Sequence, residues 1–438
     1  MKKLLFSWDE LKSTFWFFPV LIIFLAIVFA FGLIYIDSVS SFEPGGMAQY
    51  LFAGSADSAR RVLSIISAAM IGVAGTVFSI TLVVLSLASS QFGPRLLKNF
   101  MYDRINQVVL GIYVSTFIYC LIVLNSIKGN EQYNFVPSFS VLFALIAAVA
   151  SIVLLIVFIH HIAVSIQADN VISKVSESLT GNIENLFPEK LGRADEKEAK
   201  KDEKRLKSVL KNRINLEAGK NGYLQYIDGD SLIEFAKQRE ILIELHCRPG
   251  DYLVAGMKIG MVYSGRKPED EELDKCESYF LTGRVRTTHQ DTEHSIHQMV
   301  EIASRALSPG INDPYTAIAC IDNLTASMCH LSGVKFPSKY RFDSDGNLRM
   351  IAKTLTYEGV LDAAFNQIRQ FGNAIPSVAV RLMDALIVID KFARTQQQKK
   401  AIKKHACMIV NMAKKSFEQQ NDLEDLMERS KLILENVN

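Results

Sequence analysis

Imbalance of charge is what this 438-residue sequence has least of: 48 Lys and Arg stand against 46 Asp and Glu, a formal net charge of +2. A nucleic-acid-binding chain would gather a basic excess into patches with aromatics between them, and no such block occurs, so nucleic acid is excluded as an expected partner. Paired cysteines are also missing. Cys120, Cys247, Cys276, Cys320, Cys329 and Cys407 are scattered without a C-x-x-C spacing, which argues against a disulfide framework or a cysteine zinc site and fits a reducing compartment. The P-loop string, G-x-G-x-x-G, G-x-S-x-G and the kinase signatures are absent as well, so no enzyme class is indicated and no cofactor is expected.

Charge is absent most completely from four long apolar runs. No Asp, Glu, Lys or Arg interrupts Phe15–Ile36, Val62–Phe92, Val108–Ile127 or Val136–Ile159, in a chain that is 49% hydrophobic. Each run reaches or exceeds the roughly 18 residues that a membrane-spanning helix needs. The expected fold class is therefore membrane α-helical, with four transmembrane helices, followed by a small cytoplasmic β module and an α-helical domain. The first run is longer than the ~7–15 residues of a signal-peptide core and is expected to persist as an anchor. Lys2, Lys3 and Lys12 precede it, and Arg95, Lys98 and Arg104 separate the second and third runs. The other two loops carry Arg60 with Arg61, and Lys128, so the positive-inside bias places both termini in the cytoplasm.

The lack of intramembrane carboxylates also argues against active transport, because a proton relay through hydrocarbon needs groups that hold protons. His160 and His161, at the cytoplasmic end of the fourth run, read as interfacial residues, with pH sensing as the alternative. The second run differs from the others in being long and rich in small residues. Spacings of three and four pick out Ala68, Gly72, Gly75, Ser79, Leu82, Ser86, Ser89 and Gly93 along one helical seam, while Val73, Val77, Ile80, Val84 and Leu87 lie elsewhere.

Two readings of that seam compete. Small residues let helices approach closely in lipid. Alternatively Gly72, Gly75, Ser79, Leu82, Ser86 and Ser89 line a narrow pore, hydroxyls offering hydrogen bonds to water or small ions and Leu82 forming an apolar constriction. One helix cannot enclose a pore, so this second reading requires a homo-oligomer with the helix repeated around an axis. The helix is expected to run through Phe92 to the Gly93-Pro94 break. Arg95 and Lys98 beyond it suit anionic head groups and are candidates for the inner mouth.

The organisation expected is a four-helix transmembrane domain over 1–168, a helix and charged linker over 169–213, a small β-rich module over 214–283 and a mainly helical cytoplasmic domain over 284–438. The mixed-charge stretch Pro188–Lys207 reads as solvated. From Ile214 short apolar runs punctuated by Asp228-Gly229, Pro249-Gly250 and Gly256 read as strands joined by turns. "ILIELHCRPGDYLVAGMKIGMV" resembles the second half of a biotinyl/lipoyl-type barrel-sandwich module. Lys258 lies beyond the Gly-Asp strand rather than in a carrier-lysine turn, so no swinging arm is implied.

Further on, Asp291 is expected to cap a helix with Ile296, Met299, Val300, Ala303 and Leu307 on its apolar face, and Asp313 to cap the next, with Pro314 at its first position. "RALSPGINDPYTA" is then a helix–helix joint, with Arg305 complementing the preceding helix's C-terminus and within reach of pairing with Asp313. "YRFDSDGNLRMIA" reads as a hairpin turning at Asp345-Gly346. Helices follow over Tyr357–Phe371, Ser377–Arg394, Gln397–Glu418 and Leu423–Asn436.

Two clusters are weighed for binding. His294, His297 and Glu301 share a helix face near His289 and Glu293, but no H-E-x-x-H accompanies them, and a polar face without metal is the reading adopted. If Val285 lies in a strand, Arg284 and Arg286 point to one side and, with His289, suit an anionic ligand.

The string "EIASRALSPGINDPYTAIACIDNL", with "AFNQIRQFG" (Ala364–Gly372) and the four N-terminal spans, resembles a bacterial family of predicted membrane proteins classed as a domain of unknown function. The resemblance implies an integral protein of the bacterial cytoplasmic (inner) membrane with a large cytoplasmic part, and implies no catalytic residue. The expected function is a passive ion channel, oligomeric, with lipid, small ions and other copies of itself as partners and the second helix lining the path. The alternative is a membrane-anchored sensor or scaffold that binds an anionic ligand without conduction.

Overall fold

The computed structural model describes residues 14–39, 55–96, 103–130, 133–186, 196–267, 269–287 and 290–435. They divide into two compact units, Met1–Asn170 and Val171–Asn438.

The first unit holds α1 (Phe17–Val39), α2 (Ala56–Phe92), α3 (Arg104–Ser126), the short antiparallel pair β1 (Lys128–Asn130) and β2 (Tyr133–Phe135), and α4 (Ser138–Ser165). All four helices are long and apolar enough to cross a membrane. Their places in the bundle follow from side-chain size. Half of the apolar stretch of α3 is buried, against 11–17% in the other three, so α3 is the central helix. It packs against α1, α2 and α4. Gly111 makes the closest approach possible: a Cβ there would lie 2.9 Å from Ile22 Cδ1 and 3.1 Å from the Pro19 Cα. The tyrosines of α3 satisfy their hydroxyls across the bundle, Tyr119 donating to the Ser140 carbonyl at 2.9 Å and Tyr113 to that of Ser151.

Helix ends are tied to neighbouring helices. The residue before α4 is Pro137, which offers no capping side chain. Asp37 of α1 does that work instead. Its carboxylate accepts from the Phe139 and Ser140 backbone N–H groups at 2.9 and 3.0 Å and from the Ser140 hydroxyl at 2.6 Å. Where water is scarce, orphan N–H groups at a helix start are costly, so this cap locks α1 to α4. Asp37→Ala is expected to destabilise the purified protein by about 2 kcal/mol, the loss of a charge-assisted cap. Thermal unfolding in detergent, with Ser38→Ala as the comparison, measures it, and equal melting temperatures would remove the claim.

The second unit begins within α5 (Ala168–Leu186) and continues through α6 (Glu196–Val209), β3 (Asn212–Glu217), β4 (Gly222–Ile227), α7 (Gly229–Gln238), β5 (Leu242–Leu245), β6 (Tyr252–Leu253), β7 (Lys258–Ser264), α8 (Asp270–Glu277) and β8 (Phe280–Gly283). Then come α9 (Thr292–Ala306), α10 (Pro314–Gly333), β9 (Tyr340–Phe342), β10 (Leu348–Ile351), α11 (Tyr357–Phe371), α12 (Pro376–Phe392), α13 (Gln396–Ser416) and α14 (Gln420–Leu434). A five-stranded sheet has the order β3-β7-β5-β10-β9, and a three-stranded sheet the order β6-β4-β8.

Three sequence expectations are changed here. The hairpin forms, with Gly346 at φ +79° in its turn. Its second strand, however, pairs parallel with β5, so residues 340–351 complete the sheet of the β-rich region. Asp228-Gly229 is not a turn between strands. Asp228 caps α7 by accepting from the Ser231 N–H, and Leu232, Phe235 and Ala236 bury a helical face. The charged stretch is not wholly solvated either: α6 lays Ala199 and Leu206, with Leu210 just after it, onto Leu242, Tyr263, Tyr340, Leu348 and Ile351 of the sheet. The opposite face packs Ile243, Leu245, Val262 and Met350 against Leu232 and Phe235 of α7.

Polar side chains complete the α6 contact. Lys207 Nζ lies 2.9 Å from both Glu203 Oε1 and Glu244 Oε2, while the Tyr263 and Tyr340 hydroxyls donate to Glu244 and Glu203. Burial works against the Lys207 charge, yet the hydrogen bonds it donates to Glu244 and Glu203 hold its pKa above the ordinary lysine range. A helix whose sequence is almost all charge is thus anchored by one ammonium between two carboxylates.

Candidate functional site

The α2 seam is the most distinctive surface in the first unit. The packed face of α2 is Ala59, Leu63, Ile66, Met70, Ala74 and Val77, at spacings of three and four, with Ala88 three turns further on. Successive helical residues turn by about 100°, so the seam falls on the opposite side. Ala68, Gly72, Gly75, Ser79, Leu82 and Ser86 are exposed, Ser89 is half-buried and Gly93 is buried. A Cβ built on Gly72 or Gly75 would meet nothing within 4 Å. From Ala68 to Ser86 the seam is therefore not pressed against the described helices of its own chain. Gly111, rather than either of these glycines, provides the close approach within the bundle.

The hydroxyls are oriented by the helix itself. Ser79 donates to the Gly75 carbonyl at 2.9 Å and Thr76 to that of Gly72 at 3.2 Å. Each donor is spent on the backbone, and the oxygen lone pairs remain available as acceptors. Leu82, half exposed, is the one large side chain among the candidates. At about 1.5 Å per residue, the 37 residues of α2 span about 55 Å, well beyond a hydrocarbon core of about 30 Å. The helix stops where expected, with Gly93 at φ +110°, a conformation that disfavours a side chain, and Pro94 opening a 3-10 turn. Arg95 lies in that turn, and Lys98 lies outside the described residues.

Near the starts and ends of these helices one polar pair ties the bundle further. Asp103 caps α3 by accepting from the Ile105 N–H at 3.0 Å, and its other oxygen lies 2.8 Å from His161 Nε2 on α4. Local sequence marks His161 as interfacial, with pH sensing as the alternative, and carries no signal for this partner 58 residues away. His160 is exposed.

In the second unit Arg284 and Arg286 do not share a strand face. Strand β8 ends at Gly283 because the chain bends at Arg284 and Val285. Arg284 is exposed. Arg286 turns inward, its Nε and one terminal nitrogen each 2.7 Å from Asp291 Oδ2, and another terminal nitrogen 3.2 Å from His297 Nδ1. Asp291 also caps α9 through the His294 N–H at 3.1 Å. Burial raises the Asp291 carboxyl above its usual range, and the Arg286 guanidinium pulls it back only in part. As an anion site the patch is thereby reduced to Arg284, because Arg286 already has its carboxylate. His289 lies outside the described residues. Among those residues, no three His, Cys, Asp or Glu side chains converge as metal ligands.

The joint after α9 has the expected caps. Asp313 accepts from the Thr316 N–H and hydroxyl, and Pro314 opens α10. Asn312, at φ +50°, supplies the left-handed turn that asparagine tolerates. Arg305 has Glu301, one turn back at 3.8 Å, rather than Asp313 as its ion-pair partner.

Four long apolar helices, a bundle closed by caps between helices and a sheet-containing unit define a polytopic membrane protein with a large extramembrane part. The chain belongs to the family described as "Predicted membrane protein (DUF2254)", which matches residues 12–387. It is similar to the uncharacterized proteins MT1328 and Rv1290c of Mycobacterium tuberculosis (strains CDC 1551 / Oshkosh and ATCC 25618 / H37Rv) and Mb1321c of Mycobacterium bovis (strain ATCC BAA-935 / AF2122/97). Each is 33% identical over 377 residues, covering 85% of this chain and 71% of the relative. No solved structure matches.

Proposed function

We infer that the protein is a passive, non-enzymatic ion channel of the bacterial cytoplasmic membrane, with both termini in the cytoplasm. Copies of α2 surround an axis, and the second unit serves as the regulatory or assembly domain. One contrast carries this reading. The outward faces of α1 and α4 are built of Phe24, Phe31, Val149, Ile152 and Ile156, which suit lipid. Apart from Leu82, the outward ridge of α2 is glycine, alanine and serine, which gives lipid tails little to pack against and leaves oxygen acceptors facing out. A second copy, or water between copies, fits that ridge better. Exposed Ile71, Phe78 and Val83 flank it and supply the apolar borders along which neighbouring copies can seal.

Thiol accessibility tests the reading. With the six native cysteines replaced, Ser79→Cys and Ser86→Cys in proteoliposomes are expected to react with a charged, membrane-impermeant thiosulfonate at least about tenfold faster than Ile152→Cys on α4, since only water-facing thiols ionise readily. Equal, slow reaction at all three positions would place the ridge in lipid or in a dry contact and end the channel reading.

A further inference from the structure

The second unit contains a cleft of about 610 Å³ whose chemistry is one-sided. Its walls come from Lys200 of α6, the segment from Val334 to Tyr340 after α10, the run from Thr354 into α11, and the first turn of α13. Lys200, Lys335 and Lys339 line it, and no lining residue is acidic. Elsewhere in this unit several lysines meet a carboxylate: Lys207 has Glu203 and Glu244, Lys237 has Asp345, Lys353 has Asp251 and Lys404 has Glu358. Lys200 and Lys335 have no ion-pair partner among the described residues, and Lys339 reaches Glu203 only at 3.6 Å. Three lysines with no carboxylate among the lining residues leave this concave wall positive, which favours a bound anion.

The rest of the wall joins apolar Val334, Phe336, Pro337, Leu355 and Tyr357 to threonines and glutamines. Phe336 and Tyr357 meet edge to face at 6.1 Å between ring centres. The Tyr357 hydroxyl is 2.9 Å from the Ser332 hydroxyl, and Gln398 donates to the Ser332 carbonyl at 3.1 Å. Thr356 and Thr395 already cap α11 and α13 with their own side chains, so the helix starts add favourable potential but are not the binding groups. A second concavity of about 570 Å³ shares Thr356, Tyr357 and Gln397 with the first and adds Lys400. Its Glu358 is already taken by Lys404 at 2.8 Å.

We propose that this cleft binds a small organic phosphate carrying a flat ring, the size and chemistry of a mononucleotide. The phosphate meets Lys200, Lys335 and Lys339, and the ring lies against Phe336 and its apolar neighbours Val334, Pro337 and Leu355. The volume falls within the range of about 300–1,000 Å³ typical of small-ligand sites. The site is independent of conduction and stands or falls separately from it.

Isothermal titration of the full-length protein in nanodiscs with AMP, ATP, adenosine and pyrophosphate tests the assignment. AMP or ATP is expected to bind with one site per chain, and adenosine and pyrophosphate each at least about tenfold more weakly, since each lacks one half of the recognition. Lys200→Gln/Lys335→Gln is expected to weaken nucleotide binding at least about tenfold with an unchanged melting temperature, both side chains being exposed. Lys399→Gln, on α13 but outside the cleft, is expected to bind as the unmodified protein does. Absence of saturable nucleotide binding at millimolar concentration overturns the proposal, as does affinity unaltered in the double variant or lowered equally by Lys399→Gln. Pyrophosphate binding as tightly as AMP overturns the ring half of it.

Discussion

Leu82→Ser is expected to raise ion flux through proteoliposomes by at least about tenfold. Leu82 is half exposed on the ridge between Ser79 and Ser86, so in a ring of copies its side chain would form the narrowest apolar collar. An apolar collar excludes water and ions together, and replacing it with a hydroxyl lowers the cost of wetting. Each 1.4 kcal/mol removed from a barrier is a factor of ten in rate, and one collar of several leucines supplies at least that. The reverse change, Ser79→Leu, adds a second collar and is expected to reduce flux. Val83→Ser, one residue along on an exposed flanking position, serves as the control because it changes polarity off the ridge. A fluorescent ion-flux assay on the purified variants reads all three. If Leu82→Ser and Val83→Ser behave alike, the position of Leu82 on the ridge has no bearing on conduction.

The four spans were legible because nothing in the bundle contradicts composition: an uncharged apolar run of sufficient length has few alternatives to a helix in lipid. The helices α9 and α10 were legible from their caps, since Asp291 and Asp313 each precede a periodic apolar face. The order of packing within the bundle was not. It depends on Gly111 fitting against Pro19 and Ile22, a meeting of residues about ninety positions apart that periodicity does not encode. Asp37 illustrates the same limit. It lies just past the end of the first apolar run, where a carboxylate reads as ordinary interfacial polarity, and only the fold shows that it caps a helix a hundred residues further on.

Beyond the membrane the misses share one cause: polar side chains whose partners are remote. α6 reads as solvated by its charge, yet Lys207 finds Glu244 on a strand. His405 on α13, which no local pattern marks, is buried against Asp362 on α11 at 2.8 Å, and burial holds its imidazole below the ordinary histidine range despite that carboxylate. The cleft is built from four separated segments, so Lys200 joins Lys335 and Lys339 on its wall only through the fold. The α2 seam was legible as a pattern. Which way it faces was not, because a stripe of small residues is compatible with either a buried or an outward face until the neighbouring helices are placed.

The sharpest test of the second unit is Arg286→Met, which is expected to cost about 3 kcal/mol of stability at neutral pH. The substitution keeps a side chain of similar length but leaves the Asp291 carboxylate, 4% exposed, without its cation. Removing one partner of a buried pair costs about 3–5 kcal/mol because the remaining charge stays desolvated, a large share of a total stability of about 5–15 kcal/mol. The pH dependence gives the loss a signature. Asp291 already titrates above its ordinary range because burial opposes its charge, and removing the guanidinium takes away the opposing pull, so its folded-state pKa rises further. A carboxyl raised in the folded state favours folding below its unfolded pKa and loses that advantage as pH rises through the folded value. The variant should therefore regain stability relative to the unmodified protein as pH falls from neutrality toward the ordinary carboxylate range. Chemical denaturation at pH 7 and pH 5 measures the difference. A variant as stable as the parent at both values would show that Arg286 does not serve Asp291, and would return that arginine, with Arg284, to the candidates for an external anion.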